Sequence, residues 1–323
     1  MGSCGRLLTY MKSKRIAFYS EAGASRGMGH LVRSYCIAKK FKQLGFDIHF
    51  FLDSEINFDD KFDGMSYFKW QNLHINIHYD IIFIDSYEAN LDHYQLIAES
   101  CQKPVYIDDY KRLNYPAGTI LNFSPDANDS FYKHKNKQHN YLLGLEYIPI
   151  RDEFLMLKKT KQKQIFIMLG GADVTNLSTE LIVTLNDINI KKVIVCNNEK
   201  NANSLQKLNN VTVLYKPLNN ELVKAMANSS LAISTASMST YELAFLNIPT
   251  IIIAVSNNQE IGLPQLIKHN IAEDFISITD RNWKKDLISK VQGLLNKTDN
   301  KVNNQIDGNG ANNIVRAVLE LTI

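Results

Sequence analysis

Short apolar runs alternate with polar and glycine-containing segments along the first half of the chain, and this pattern predicts strands separated by helices. β-Branched and aromatic residues mark the predicted strands, which span residues 15–20, 46–52, 80–84, 105–107 and 119–122. Apolar residues recur at helical spacing over residues 31–44 and 90–101. Strands and helices in alternation favour a parallel sheet that is covered on both faces.

The pattern pauses and then begins again in the second half of the chain. Residues 149–163 hold Pro149 and a lysine-rich run, which is typical of an interdomain connection. A second series of strands is predicted over residues 164–169, 191–196, 211–214, 231–234 and 250–254, with helices that start near Asn176, Asn201, Asn219, Met238 and Gln259. The pattern does not place a last predicted helix, residues 311–321.

Length supports two domains, because 323 residues exceed one ordinary core. A polar segment, residues 11–14, leads straight into the first predicted strand and resembles a natural start, so the preceding residues are expected to be dispensable. We therefore predict an α/β chain of two Rossmann-like domains with a cleft between them, residues 11–150 and 151–323.

Composition narrows the function classes. The chain is 45% hydrophobic and 21% charged, as soluble globular proteins are, and a net charge of +3 is too small to favour nucleic-acid binding. No apolar run approaches the roughly 18 residues of a membrane helix, and the N-terminus lacks the apolar core of a signal peptide, so we expect a cytoplasmic protein without stable membrane insertion. The four cysteines are far apart, which favours free thiols over a metal site.

The segment Gly27-Met28-Gly29-His30 stands between the first predicted strand and the first predicted helix. Glycines allow a tight turn and a close approach of the backbone to a ligand, and the helix start offers unpaired N–H groups to an anion. An imidazole at such a place can accept a proton near neutral pH, which makes His30 a candidate general base. Glycine punctuation beside a packing histidine is the simpler alternative. The segment lacks the third glycine of a dinucleotide-binding fingerprint, so no cofactor is predicted.

Small and hydroxylated residues follow a predicted strand of the second half, in the segment Ser234-Thr235-Ala236-Ser237-Met238-Ser239. The backbone there can approach a nucleotide closely, and the helix start, with Ser237 and Ser239, can face its phosphates. Glu242 stands one turn into this helix, where its carboxylate can accept two hydrogen bonds from a ribose diol. A capping box formed by Ser239 and Glu242 is the structural alternative.

Two further segments of the second half also follow predicted strands. Gly170-Gly171 permits the close passage of a ligand or makes a tight turn, and Asn258-Gln259 offers amide donors to a diphosphate at a helix start. Because ligands bind beyond the carboxyl ends of strands in open parallel sheets, these segments are predicted to share the nucleotide site. The neighbours Asp108 and Asp109 come nearest to a carboxylate pair, but adjacent residues on an extended segment point apart, so no metal site is predicted.

Several motifs occur in one order along residues 15–270. They are Gly27-x-Gly29-His30-x-x-Arg33, Ile84-Asp85-Ser86-Tyr87, Ile107-Asp108-Asp109, Gly144-x-x-Tyr147-x-x-x-Arg151-x-Glu153-Phe154, Leu169-Gly170-Gly171-Ala172-Asp173 and Asn258-Gln259. Together they resemble the PseG or SpsG-like family of UDP-sugar hydrolases of pseudaminic acid biosynthesis.

The resemblance implies a GT-B fold akin to that of the glycosyltransferase MurG, with the nucleotide held chiefly by the C-terminal domain. It also implies hydrolysis of UDP-2,4-diacetamido-2,4,6-trideoxy-β-L-altropyranose between the anomeric carbon and the phosphate oxygen, with inversion. His30 would then activate water, Tyr87 would sit near the sugar, and Glu242 would hold the ribose. Arg33 and the two glycines of its motif would contact the substrate. The implied partner is a small-molecule sugar nucleotide, without a metal.

One part of the family pattern differs in this chain. An Arg-x-Asp-x-Ser pattern before the glycine loop is replaced by Tyr19-Ser20-Glu21-Ala22-Gly23-Ala24-Ser25, so the arginine is absent while an acidic residue remains as Glu21, a candidate substrate-binding residue. An inverting GT-B glycosyltransferase that uses a related UDP-sugar or a CMP-activated nonulosonic acid is the alternative, with His30 deprotonating an acceptor hydroxyl. A non-catalytic sugar-nucleotide-binding protein is the third hypothesis.

Overall fold

The computed structural model describes residues 14–23, 26–58, 64–128, 131–132, 137–157, 162–170, 177–255, 262–297 and 305–321. The chain divides into two compact units. One unit consists of the described residues up to Ile150 together with those from Gly308 onward, and the other extends from Arg151 to Asp307.

The first unit contains a seven-stranded parallel sheet with two helices in its main α/β series. Its strands are β1 (Arg15–Glu21), β2 (Asp47–Asp53), β3 (Met65–Phe68), β4 (Tyr79–Asp85), β5 (Cys101–Ile107), β6 (Gly118–Asn122) and β7 (His139–Leu143), and its helices are α1 (Gly29–Gln43) and α2 (Leu91–Glu99). The order across the sheet is β3-β2-β1-β4-β5-β6-β7. The sequence pattern missed β3 and β7, which are edge strands whose residues are mostly not buried and so lack a strong apolar signal.

The interior strand β1 is buried on both faces of this sheet. Phe18 stacks on Phe83 of β4 with ring centroids 4.6 Å apart and also contacts Phe41 of α1. Tyr19 stacks on Phe51 of β2 at 4.7 Å. Because successive side chains of a strand point to opposite faces, the two aromatic clusters cover the two sides of the sheet. The continuous apolar run of β1 therefore reflects a position in the middle of a covered parallel sheet.

Helix α1 begins two residues earlier than its apolar periodicity predicts. Buried residues recur along one side from Leu31 through Ile37 to Phe41, as expected for a helix that packs on a sheet. The helix ends before Gly45, whose φ of +88° lies in the region that favours glycine. Since the helix starts at Gly29, His30 belongs to its first turn and points to the buried side.

The second unit contains a six-stranded parallel sheet, with strands β8 (Gln164–Met168), β9 (Lys191–Cys196), β10 (Val211–Tyr215), β11 (Leu231–Ser234), β12 (Thr250–Ala254) and β13 (Asp274–Ser277). The order across the sheet is β10-β9-β8-β11-β12-β13. The helices are α3 (Asp152–Leu155), α4 (Leu177–Thr184), α5 (Glu199–Leu205), α6 (Asn219–Ala227), α7 (Met238–Phe245), α8 (Leu263–Lys268) and α9 (Trp283–Asn296). Its core is rich in alternating isoleucines of the strands, such as Ile165 with Ile167 and Ile251 with Ile253.

The last helix, α10 (Gly310–Glu320), returns to the first unit. It packs against α1 and the short turn Leu145–Tyr147, and its buried stripe includes Ile314 and Val318. A Cβ at Gly310 would lie 1.9 Å from the carbonyl oxygen of Ile148, so this close approach requires glycine. The sequence pattern assigned these residues to the second domain, 151–323, whereas the structure assigns them to the first unit. The pattern shows that α10 has an apolar stripe but not which unit buries it.

The described part of the chain contains no helix with the length and apolar character needed to cross a membrane. Three cysteines in that part, Cys36, Cys101 and Cys196, are buried free thiols, as predicted, whereas Cys4 lies outside the described residues. Burial raises the pKa of the Cys101 thiol to about 12, which makes this sulfur a poor nucleophile.

Candidate active site

The carboxyl ends of neighbouring strands in the first unit bring several charged side chains together. Strand β4 lies beside β1 and β5, and α1 starts at the same edge of the sheet. Asp85 is the last residue of β4, and Asp109 follows β5 by two residues. His30 and Arg33 reach these carboxylates from the first two turns of α1.

His30 is held by a short hydrogen bond to Asp85. The distance from Nδ1 of His30 to Oδ1 of Asp85 is 2.6 Å, and the two residues are 6% and 1% exposed. Because an ionised carboxylate only accepts, we assign the hydrogen to Nδ1, which leaves Nε2 of the neutral ring as a proton acceptor. Nε2 lies 4.0 Å from Oε1 of Glu21. This arrangement fixes the tautomer and the orientation that a general base needs.

Arg33 links two carboxylates instead of presenting free donors. Its Nε donates to Oδ2 of Asp85 at 2.6 Å, and its Nη1 donates to Oδ1 of Asp109 at 2.8 Å. Nη2 lies 3.0 Å from Nδ1 of His30, but its hydrogens have Oδ1 of Asp85 at 2.6 Å and Oδ2 of Asp109 at 3.0 Å as acceptors. The candidate substrate-binding residue Arg33 therefore contacts the groups that orient His30.

The charge state of the two carboxylates follows from this arginine. Burial alone would raise the pKa of Asp85, but the attraction of Arg33 and the hydrogen bonds from Arg33 and His30 outweigh it and hold that pKa well below its ordinary value. Burial likewise opposes ionisation of Asp109, and Arg33 again lowers its pKa. Both carboxylates are therefore ionised at neutral pH, and Asp85 remains an acceptor for His30.

Tyr87 lies beside the imidazole, as its assignment to the candidate site requires. Its ring meets that of His30 edge-on, with centroids 4.4 Å apart, and the side chain is 46% exposed. Its hydroxyl donates to Oδ2 of Asp109. Partial desolvation and the Asp109 carboxylate raise the pKa of Tyr87 well above its ordinary value. The phenol therefore stays protonated at neutral pH and can position a ligand or a neighbour but not accept a proton.

Glu21 is a buried carboxylate whose described contacts are with the protein. Its Oε1 accepts from the backbone N–H of Tyr87 at 2.8 Å, and its Oε2 accepts from the hydroxyl of Ser86 and from Nε1 of Trp70. These bonds hold the turn after β4 that carries Tyr87. Its role as a substrate-binding residue stays a prediction. The described contacts show that Glu21 holds the backbone next to Tyr87 in place.

The glycine loop leads into the start of α1 through a tight turn. Gly27 has a φ of +72°, and its backbone exchanges two hydrogen bonds with Gly23, which closes the turn. A Cβ at Gly29 would meet no atom within 4 Å. No described side chain caps the helix, whose first backbone bond runs from the N–H of Val32 to the carbonyl of Met28. With respect to the described residues, the N–H groups of the first turn are thus available to an anionic ligand.

The second unit brings two predicted segments together at the carboxyl ends of β8 and β11, which are neighbouring strands. Gly170 follows β8 with a φ of +82°, and a Cβ there would lie 3.5 Å from Oγ1 of Thr235, which follows β11. Helix α7 starts directly after Ser237, and the buried Oγ of Ser237 has no hydrogen-bond partner among the described residues. Ser239 lies in the first turn with its Oγ 3.8 Å from Sδ of Met168.

Glu242 is engaged by an arginine that the sequence pattern did not assign to a role. Its Oε1 accepts from Nε of Arg151 at 2.6 Å and its Oε2 accepts from Nη2 at 2.8 Å, while the glutamate is 1% exposed. The capping-box alternative for Ser239 and Glu242 is wrong, because Ser237 occupies the N-cap position and both residues lie inside α7. Glu242 as a ribose ligand stays a prediction, and its described contacts are those of a buried ion pair.

We expect Glu242→Ala to lower the free energy of unfolding by about 3–5 kcal/mol, because it leaves the buried guanidinium of Arg151 without its carboxylate. Urea denaturation of the single variants and of the double variant with Arg151→Met measures the coupling. If Glu242→Ala unfolds at the wild-type urea concentration, the ion pair is not important for stability. UDP affinity of the folded variant tests the ribose contact separately.

The remaining candidates of the nucleotide site, Gly171, Asn258 and Gln259, lie outside the described residues. Within the described part of the chain, no group of three or more His, Cys, Asp or Glu residues could hold a metal ion. Asp108 and Asp109 do point apart, since Asp108 accepts from the hydroxyls of Tyr115 and Tyr132 while Asp109 faces Arg33.

The sequence pattern did not assign a role to Asp85 or Asp109. Both occur in the motifs that carried the family resemblance, and each stands at or just after the end of a predicted strand. That position is the signal that could have identified them. Their contact with Arg33 spans 52 and 76 residues of sequence, so it depends on β4 and β5 lying near β1 in the sheet.

Two parallel-sheet units of this kind define a GT-B fold, and comparison with solved structures confirms it. MurG of Acinetobacter baumannii matches with a TM-score of 0.62 and 14% sequence identity, over 95% of this chain and 99% of that chain. Other solved structures with the same fold include UDP-GlcNAc 2-epimerases and glycosyltransferases. At such low identity the similarity shows the fold alone.

Sequence comparison confirms the resemblance to UDP-sugar hydrolases. The chain is 26% identical over 318 residues to the pseudaminic acid cytidylyltransferase and UDP-2,4-diacetamido-2,4,6-trideoxy-β-L-altropyranose hydrolase of Helicobacter pylori, covering 91% of this chain and 57% of that protein. It is 26% identical over 259 residues to the UDP-2,4-diacetamido-2,4,6-trideoxy-β-L-altropyranose hydrolase of Campylobacter jejuni, covering 76% and 93%. The chain spans little more than half the length of two relatives it matches. No family model matches it.

Proposed function

We propose that this protein hydrolyses a UDP-linked diacetamido-trideoxy sugar, of the UDP-2,4-diacetamido-2,4,6-trideoxy-β-L-altropyranose type, with inversion at the anomeric carbon. The observation that carries the proposal is the buried His30, whose Nδ1 is bound to an ionised Asp85 and whose Nε2 is left as a base at an open helix start. The names of the two relatives at 26% identity support the substrate class.

The chemistry needs one base and one stabilised leaving group. A water oxygen attacks the anomeric carbon, and the bond from that carbon to the phosphate oxygen breaks. The electron pair leaves with UDP, and the proton of the water passes to Nε2 of His30. The imidazolium that forms is stabilised by Asp85, as in other buried base and carboxylate pairs. Positioning and a base near neutral pH are sufficient for this step, because UDP is already a good leaving group.

The nucleotide part of the proposal rests on the second unit. Ser237 has a buried hydroxyl without a partner among the described residues, at the N-terminus of α7. Helix N-termini and hydroxyl donors bind phosphate oxygens, so this end of α7 suits a diphosphate. We propose that Ser239, Gly171, Asn258, Gln259 and Glu242 complete the nucleotide site.

Release of UDP in the absence of any acceptor is the test of this proposal. We expect the protein to release UDP and the free sugar from a UDP-diacetamido-trideoxy sugar in water, with the anomeric configuration inverted by NMR. The same rate is expected in EDTA, because the site residues supply a base and phosphate donors without an ion. Release only after addition of an alcohol acceptor would make the protein a glycosyltransferase, and binding without release would make it a binding protein. Strict dependence on added magnesium would contradict the metal-independent step.

A further inference from the structure

An exposed pair of tyrosines lies next to the imidazole in the first unit. Tyr110 is 57% exposed, and its ring centroid lies 5.6 Å from that of Tyr87, with the planes inclined by 57°. Tyr87 in turn meets His30 edge-on. Neither the sequence motifs nor the proposed step gives Tyr110 a role. Two adjoining aromatic rings that remain open to solvent beside a catalytic base are a surface for an apolar part of the substrate.

The turn that carries Tyr110 is held firmly by its neighbours. Asp108 accepts hydrogen bonds from the backbone N–H groups of Lys111 at 3.0 Å and Arg112 at 3.1 Å. Lys111 has a φ of +60°, which makes the turn sharp. The hydroxyl of Tyr87 is fixed on Asp109. The rings are therefore placed in advance, and a ligand that packs on them orders few additional side chains.

We propose that Tyr87 and Tyr110 receive the apolar face of the sugar, and that Tyr110 selects a substrate whose C6 is a methyl group over one whose C6 carries a hydroxyl group. This inference rests on the proposed function, since a trideoxy sugar carries that methyl group. Its C–H face and methyl group pack against aromatic rings without leaving a buried hydroxyl unpaired. An apolar site rejects a ligand that merely adds a hydroxyl group by at most about 10²-fold.

Binding to the His30→Ala protein tests the proposal without turnover. We expect this protein to bind the UDP-6-deoxy sugar about 10-fold more tightly than its 6-hydroxy counterpart. Adding Tyr110→Ala should remove most of that preference and weaken binding of the UDP-6-deoxy sugar about 10-fold, while the affinity for UDP alone stays unchanged. Tyr110→Phe keeps the ring and should keep the preference. Isothermal titration calorimetry with the three ligands measures each affinity.

The matched control is Ile77→Ala. Ile77 is an exposed apolar residue of the same unit that precedes β4, at the opposite end of the strand from Asp85. An unchanged sugar preference in Tyr110→Ala, or an equal loss in Ile77→Ala, would overturn the proposal. A wild-type protein that releases no UDP would contradict the proposed hydrolase without changing the binding ratios, so the two failures are distinguishable.

Discussion

His30→Ala is expected to lower the rate of UDP release by about 10²–10⁴-fold, the usual contribution of a positioned general base. The affinity for UDP should stay within about twofold of wild type, because the residues proposed to bind the nucleotide belong to the other unit. The variant should therefore change the chemical step and not the binding of UDP. Single-turnover kinetics measure the chemical step, and calorimetry with UDP measures binding. His30→Asn should show the same loss, since an amide keeps a similar size without a basic nitrogen.

His74→Ala is the matched control for this variant. His74 is an exposed histidine of the same unit. Its replacement removes one imidazole from the protein and leaves the candidate site unchanged. We expect wild-type turnover from it. If His30→Ala retains turnover, or if its UDP affinity falls in parallel with the rate, His30 is not the base. A selective loss of rate in His30→Ala supports the assignment for water and for an alcohol acceptor alike.

Asp85→Asn is expected to affect stability and turnover together. The substitution removes the charge that faces the buried Arg33, so the free energy of unfolding should fall by about 3–5 kcal/mol at neutral pH. An amide can also present its NH₂ group to Nδ1 of His30 and reverse the tautomer, so the rate should fall by about 10²-fold or more. Because Asp85 acts through His30, the double variant should be no slower than His30→Ala alone.

The stability effect of Asp85 has a defined dependence on pH. Its pKa is lowered in the folded protein, so its contribution is fully present above the unfolded pKa of about 4 and is lost as the pH falls toward the folded pKa. The contribution of the Asp85 carboxylate to the difference in unfolding free energy between wild type and Asp85→Asn should therefore shrink below pH 4. Urea titrations at several pH values measure it.

Asp92→Asn provides the control for the acid titration. Asp92 is an exposed aspartate in the first turn of α2, where removal of its charge should cost no more than about 1 kcal/mol. A constant difference between wild type and Asp85→Asn down to pH 3 would show that Asp85 has an ordinary pKa. A double variant slower than His30→Ala would show that Asp85 also acts on the substrate directly.

Part of the site could be predicted because it is local. Gly27, Gly29 and His30 are consecutive or nearly so, and the helix that follows them has a clear apolar period, so the sequence alone places an imidazole at an open helix start. Ser237 at the N-terminus of α7 follows from the same kind of pattern. The misplaced cap at Ser239 shows the limit of that reasoning, because a pattern that fits both Ser237 and Ser239 does not say which one begins the helix.

The partners of these residues depend on long-range packing. Arg33 meets Asp85 and Asp109 only because β1, β4 and β5 lie in that order in one sheet, and Glu242 meets Arg151 across 91 residues of sequence. The sequence predicted that Arg33 and Glu242 contact the substrate. It could not show that other protein groups bind their donors and acceptors, because the spacing within a motif carries no information about distant partners.

Local patterns in the sequence were sufficient to predict two α/β units with parallel sheets and to place His30 at the start of a helix. Local hydrophobic periodicity is sufficient for this, because it records which side of each element is buried. Tertiary structure alone decided the orientation of His30 by Asp85, the engagement of Glu242 and the return of α10 to the first unit. Periodicity does not specify which buried surfaces or charges meet, since that depends on strand order and on the packing of distant segments.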